Sequence, residues 1–446
     1  MTLMSFLTPF MASSIMVALP SIALEFDLTA ISLSWISNAY LLATAVFLVP
    51  FGRLADIHGR RRIFMYGIWI FSFASLAAGA APVSAVLIAA RVLQGVGAAM
   101  TLSTSTAILS SVFSPGERGK AFGYNVAAVY TGLSLGPFLG GFLTQHFGWH
   151  SIFLINFPMG LFLIVLAGRV LKQEWMEAKG ESFDVAGSIV YGLTLSAMMT
   201  GFSLLPKISG ALFAGASILG FTIFITRESR LRSPVLNIRL FKENRVFAFS
   251  NLAALINYSA TAAIAFLLSL YLQYIKGMTP QQAGIILVAQ PIIQAIVSPS
   301  AGKLSDKIEP QIVASIGMVC TAVGLGLLAF LSMTTSTSFL VAVLLLLGLG
   351  FALFSSPNTH AIMAAVEKKQ YGVASSAVAT MRLTGQMMSM GIATLIFALF
   401  IGQQKITPEL YPQLLQSIRT AFSFFSVVCF CGIFASLARG KMRNES

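Results

Sequence analysis

Residues 52–62 read GRLADIHGRRR, and residues 302–310 read GKLSDKIEP, matching at Gly52 and Gly302, Leu54 and Leu304, and Asp56 and Asp306. Each run ends one long apolar stretch and precedes another, so each reads as a short charged turn between two helices. A second set of matches falls at nearly the same offset. Gly95, Gly97, Thr106, Gly119 and Ala121 align with Gly348, Gly350, Thr359, Gly372 and Ala374. The order of helix, charged turn and helix is therefore repeated, and the chain reads as an internal duplication. Two six-helix repeats in a membrane place a site near the bilayer midplane between them and work by rocking one against the other.

Composition makes lipid the solvent. Of 446 residues, 57% are apolar and 10% are charged, against about 25% charged in a soluble domain. Apolar stretches long enough to cross a bilayer predict fourteen spans, at 3–24, 34–54, 63–81, 84–110, 121–144, 151–170, 185–205, 210–226, 246–272, 282–302, 312–333, 338–365, 373–401 and 417–438. The first is too long for a signal-peptide core and lacks its small-residue cleavage pattern, so it is expected to be retained. The expected organisation is a six-helix bundle over 1–172, a linker with two inserted helices over 173–245, and a second six-helix bundle with a short tail over 246–446. The fold class expected is all-α and membrane-integral.

The formal charge of +13 would raise nucleic acid as a partner in a soluble chain. Here the basic residues lie in short loops, where they orient a membrane protein, and no nucleic-acid partner is expected. Of 28 lysines and arginines, Lys207, Lys276, Lys405 and Arg419 fall on the odd-numbered connections or their helix ends, and Arg91 and Arg382 lie inside spans. The rest collect on the even-numbered connections and the C-terminal tail. That asymmetry predicts both termini in the cytoplasm and a multi-pass protein of the cell membrane. Cys320, Cys429 and Cys431 lie in apolar segments, and the last two diverge by about 200° on a helix, so no metal site is expected. No Gly-Lys pair is followed by Ser or Thr, so no ATP-binding loop is present, and no enzyme motif or cofactor site is read.

Three motifs carry most of the functional signal. GRLADIHGRRR offers Gly52 for close helix approach, Asp56 as a carboxylate at a helix end, and Gly59 and Arg60 in the turn. ARVLQGVGAAM at 90–100 puts Arg91 well inside a span, where a charge costs about 2.5–3.5 kcal/mol on the lenient insertion scale and needs polar partners or water. Arg91, Gln94, Ala98, Thr101 and Ser105 form one polar-to-small stripe. GLSLGPFLGG at 132–141 sets Gly132, Gly136 and Gly140 four apart on one face, beside Gly141, while Pro137 bends the helix.

Together these runs resemble the drug:proton antiporters of the major facilitator superfamily. The first resembles the signature loop that latches the two halves, with Gly302 and Asp306 its echo. The second resembles the helix-4 motif in which an arginine is tied to proton coupling, and the third resembles the antiporter signature. WHSIFLINFPMG at 149–160, FDVAG at 183–187, PVLNIRLFKENRVFA at 234–248, YLQ at 271–273 followed by TPQQAG at 279–284, and YGVASSAVATMRLTG at 371–385 resemble the fourteen-helix branch in particular. In that branch an acidic residue stands nine positions before the proline of an ALP signature. Here ALP ends at Pro20, and the corresponding residue is Met11.

This placement leaves no acid in mid-membrane, while two arginines sit inside spans. A cavity of this kind offers cations only dipoles and aromatic faces, so neutral or anionic amphiphiles are the expected substrates. Proton-coupling candidates are Arg91; His360, read as the one group titrating near neutral pH well inside a span; and Asp184 and Asp27 near helix ends. The helices that the resemblance places around the central space add Met11, Asn38, Gln94, Asn125, Asn257, Gln290, Gln294, Asn358, Arg382 and Gln386 as cavity candidates. The expectation is a secondary transporter, acting as a monomer, that exports small molecules against protons by alternating access. Two alternatives stay open: a proton-independent facilitator or uptake transporter of a neutral or anionic metabolite, and a non-transporting receptor or scaffold.

Overall fold

The computed structural model describes residues 1–113, 117–231, 238–367 and 370–440, without the side chains of residues 118–120, 122, 306 and 372. Fourteen helices in it are long and apolar enough to cross a membrane. In chain order they are α1 (Thr2–Glu25), α2 (Ala30–His58), α3 (Arg60–Gly79), α4 (Ser84–Val112), α5 (Arg118–Phe147), α6 (His150–Val170) and α7 (Val185–Leu204). They continue as α8 (Ile208–Glu228), α9 (Arg245–Ile275), α10 (Pro280–Ser305), α11 (Pro310–Leu328), α12 (Thr337–Ala364), α13 (Tyr371–Phe400) and α14 (Tyr411–Ala438). A short helix, Ile238–Glu243, precedes α9. The face carrying the α2–α3, α6–α7 and α8–α9 connections is called the basic face below, and the other the opposite face.

Several helices run past the spans expected from hydropathy. α2 starts at Ala30 rather than 34, and α14 at Tyr411 rather than 417, because polar end residues continue the helix through the headgroup layer, where they remain solvated. First-turn N–H groups are met locally: Thr29 accepts from Ser32, Asn244 from Phe247 and Ser336 from Phe339, while Thr279 and Gln282 form a capping box. Two spans are interrupted for one reason. Pro158 and Pro291 have no N–H for the carbonyls of Leu154 and Leu287, four residues back, and those are the residues at which the first segments of α6 and α10 stop.

The duplication is visible as packing. Within α1–α6, α1 lies along α5, α2 and α3 lie against α4, and α3 meets α6; within α9–α14 the same pairs recur as α9 with α13, α10 and α11 with α12, and α11 with α14. The aligned glycines do equivalent work. A Cβ on Gly97 would meet the Phe71 nitrogen at 2.6 Å, and one on Gly350 the Gly317 carbonyl at 2.8 Å. Gly95 abuts the Tyr40 carbonyl as Gly348 abuts that of Gln290, so that a Cβ on either would lie 2.5 or 2.4 Å from the oxygen. Gly132 against Phe6 has its counterpart in Gly385 against Leu255. Backbones this close need glycine on one side.

α7 and α8 form an antiparallel pair across the seam between the bundles. Tyr191, Leu195 and Met199 of α7 and Phe224 of α8 share one apolar cluster with Ala45, Leu48 and Val49 of α2 and Leu383 and Met387 of α13. Other faces stay apolar and exposed, as at Phe162, Ile208, Leu212, Ile218 and Phe434. Those residues are where lipid supplies the packing.

Candidate transport site and its gates

Gly59, at φ +119°, joins α2 to α3 with no intervening loop. That turn is clasped by the linker that follows α6. Arg60 donates to Glu177 through two nitrogens, at 2.6 and 2.8 Å, to Asp56 at 2.7 Å and to Ser111 at 3.1 Å. Glu174 accepts from the Arg61 backbone N–H at 2.8 Å, and Arg53 pairs with Glu181 at 2.5 Å. The backbones join as well, Ala178 N–H to the Asp56 carbonyl and Arg60 N–H to that of Trp175. A side chain at Gly59 would strike the Glu174 carboxylate, 2.5 Å from its Cβ. Composition alone did not single out these three glutamates, yet their spacing within 174–181 opposite an Arg-rich turn was the available signal. In the second half Gly302 approaches Ser356 as Gly52 approaches Ser103. The Asp306 side chain lies outside the described residues.

The α5 glycines divide between two partners. Gly132, Gly136 and Gly140 receive Phe6, Ser13 and Ser14 of α1, and the Ser14 hydroxyl donates to the Gly136 carbonyl at 2.9 Å. Gly141 and Pro137 face α10 of the other bundle. A Cβ on Gly141 would lie 2.5 Å from the Pro280 carbonyl, and one on Gly284 would lie 2.2 Å from that of Pro137.

That crossing belongs to a larger closure. Hydrogen bonds and ion pairs that join the two bundles through described residues cluster in the half nearest the opposite face. Asn38 donates to Thr394 at 3.1 Å, and Thr394 donates to Ser34 at 2.9 Å. Gln273 donates to the Val17 carbonyl at 2.9 Å, and His146 lies 3.2 Å from Gln281. Asp27, itself at φ +55°, pairs with Lys405.

Arg91 lies nearer the opposite face than the centre of α4 and is 1% exposed. It donates to the Ile36 carbonyl at 3.0 Å and to Gln94 at 2.7 Å, and stacks 4.3 Å from the Tyr40 ring centroid. Gln94 donates onward to Ser75 at 2.7 Å. This network runs through α2, α3 and α4 inside one bundle.

Near the middle of the spans, Arg382 of α13 approaches the Tyr258 hydroxyl of α9, beside Ser355 of α12 and Tyr130 of α5, and its charge reaches the Tyr40 hydroxyl. Arg382, Tyr258, Tyr130 and Ser355 are half-buried. Arg382 is among the cavity candidates of the sequence; Tyr40, Tyr130 and Tyr258 are not, because nothing in their sequence context marks them as facing Arg382.

The amides scatter. Asn38 is an inter-bundle bridge, and Met11 is buried against the Asn156 amide at 3.2 Å. Asn358 accepts from Arg439 at 2.9 Å and donates to the Ser250 carbonyl, near the basic face, where burial pulls the Arg439 guanidinium down to about 10. Asn257 is fully buried, seven residues from Ser250 and so on the same face of α9. Asn125 and Gln294 are buried, and Gln290 and Gln386 half-buried.

The titratable candidates lie at the ends. The placement of His360 well inside a span is corrected: it is exposed, one turn from the basic-face end of α12, with Nδ1 3.4 Å from the Ser305 hydroxyl. The physical reason is that α12 stops at Ala364, so apolar sequence around His360 belongs to its last turn. Asp184 caps α7 by accepting from Gly187 at 3.0 Å and pairs with Arg227 at 2.7 Å. Among the described residues no group of three or more His, Cys, Asp or Glu is placed to hold a metal.

Comparison with known proteins agrees with this architecture. The Riboflavin transporter RibZ of Clostridioides difficile (strain 630) is 29% identical over 450 residues, covering 99% of this chain and 96% of the relative. The Multidrug resistance protein Stp of Mycobacterium tuberculosis (strain CDC 1551 / Oshkosh) is 30% identical over 392 residues, covering 86% and 72%. Among solved structures, the human organic anion transporter MFSD10 superposes with a TM-score of 0.67 at 15% identity, covering 98% of this chain and 97% of that one. The family model of the Major Facilitator Superfamily matches residues 1–228 and 250–445. The chain is a multi-pass membrane transporter belonging to the Major Facilitator Superfamily.

Proposed function

We propose that this transporter exports amphiphilic neutral or anionic small molecules against protons, loading them from the basic face, which we place in the cytoplasm with both termini. The observation that carries the substrate class is Arg382 among Tyr40, Tyr130 and Tyr258, with no acid near the middle of any described span. A cation entering that space meets like charge, and at an effective dielectric of 20 two unit charges at 4 Å repel by about 4 kcal/mol. Aromatic faces and a guanidinium suit an apolar ring bearing a dipole or negative charge.

The closure at the opposite face supports a state that admits substrate from the basic side. Release then requires the contacts of Gly141 with Pro280, Gly284 with Pro137, and Asp27 with Lys405 to part as the bundles rock. The α2–α3 turn, clasped by the linker, is the element whose partners change on the other side. Proton return falls to groups at helix ends, with Asp184, Asp27 and His360 the candidates. In proteoliposomes with an imposed pH gradient, an amphiphilic substrate is expected to move uphill; efflux indifferent to collapse of that gradient would remove the antiport.

A second reading is movement of a neutral or anionic metabolite without proton coupling. It is favoured by likeness, over nearly the full length of both chains, to a protein named a riboflavin transporter. Counterflow driven by a non-titratable substrate with no pH gradient separates the two.

A further inference from the structure

Arg382 sits near the middle of α13, and no ion pair between described residues reaches it. Its Nε is buried with no hydrogen-bond partner. Arg91, the other arginine inside a span, differs in kind, since it donates to a carbonyl and to Gln94 and its plane is covered by a tyrosine ring. A guanidinium inside a membrane span without a counter-charge is costly, and the cost falls when a bound anion supplies that charge.

The surroundings narrow the anion. Tyr258 is fixed from two sides: Phe351 meets its ring edge-on at 5.4 Å and 72°, and α13 packs so close at Gly385 that a Cβ there would lie 2.8 Å from the Tyr258 Cβ. Gly385 is one turn from Arg382 on the same helix, so ring and guanidinium are set by one helix contact. Tyr40 and Tyr130 approach the same space from the other bundle. Half-buried Tyr258 of one half and Tyr130 of the other thus flank a planar, forked donor that no ion pair between described residues reaches, while the Tyr40 ring itself lies under Arg91.

Resting on the reading of a site loaded between the halves, we propose that Arg382 is its anion receptor, and that the preferred ligand is a flat aromatic molecule bearing a negative charge on its ring. The guanidinium takes the anionic group through two parallel N–H donors while the ring packs among the tyrosines. The ligand's charge replaces the carboxylate that the site does not contain. Because the tyrosines come from both bundles, the ligand also contacts both moving parts, as alternating access requires.

Three probes sharing one ring test this with the purified full-length protein in nanodiscs: anthracene-9-carboxylate, anthracene-9-carboxamide and 9-(aminomethyl)anthracene. The carboxylate is expected to bind about ten-fold or more tighter than the carboxamide, and the cation weakest. In R382Q the carboxylate should fall to the carboxamide's affinity, with R382K intermediate because it keeps charge and loses the fork. Thermal unfolding of each variant establishes that it is folded. An undiminished carboxylate preference in folded R382Q, or no preference in the wild type, overturns the assignment. Efflux of the same probes from proteoliposomes is read separately. Binding discrimination without efflux overturns the transport reading and leaves the site standing, whereas efflux without discrimination does the reverse.

Discussion

At the scale of single residues, the two arginines inside spans show how identical side chains take different tasks. Arg91 is hydrogen-bonded within α2 and α4 and covers the Tyr40 ring, so its removal orphans the buried Gln94 and opens space beside Tyr40. Hydrogen bonds to charged groups are worth roughly 1.5–3 kcal/mol, and R91L is expected to lower the thermal midpoint in detergent by several degrees, with R91K falling in between. An R91L protein that melts as the wild type does, yet no longer responds to a pH gradient, would return Arg91 to the coupling role that the family resemblance implies. Arg382 was legible as a candidate because a charge inside an apolar span always needs explaining. The tyrosines around it were not, because a tyrosine in a membrane helix is ordinary until its neighbours are known.

At the scale of elements, the α2–α3 turn was readable as a charged connection, and its partner was not. Asp56, Arg60 and Gly59 stand in the motif, but Glu174, Glu177 and Glu181 lie more than a hundred residues further on, in a linker whose path the sequence does not describe. Glu177 is well exposed, so the clasp is screened and each pair contributes little alone. Its effect is on the balance of two states. E174Q combined with E177Q is expected to shift the inward and outward populations by a few-fold, equivalent to about 1 kcal/mol. Cysteine labelling at positions on either face reports the shift, and raised salt should mimic it in the wild type but not in the double variant. Unchanged labelling in the double variant would make the linker a passive tether.

At the scale of the whole molecule, the closure opposite the basic face makes the two bundles one body there. Gln145 accepts from the Gln281 backbone N–H at 3.3 Å, across the seam between α5 and α10. With Cys320, Cys429 and Cys431 replaced, a Q145C/Q281C pair is expected to cross-link on oxidation, abolish transport and recover with reductant. A cross-linked protein that transports at the full rate would mean that this seam does not open. The same seam explains why Gly141 and Gly284 are glycines, since carbonyls of the other bundle occupy the positions that their side chains would take.

How much of this was written in the chain follows from the physics of helices in lipid. Apolar length, loop charge and repeated glycine spacing are local quantities, and they determined the helix count, the duplication and the positions of close backbone contact, because a backbone in hydrocarbon must satisfy its own hydrogen bonds. Which way a helix is turned, and against what, is not local. Asn38 and Tyr40 are two residues apart and diverge by about 200°; one bridges to Thr394, and the other lies under Arg91 within reach of Arg382. Only the packing of fourteen helices decided which polar groups became bundle glue and which came to face the space between the halves, since that choice depends on every neighbour at once.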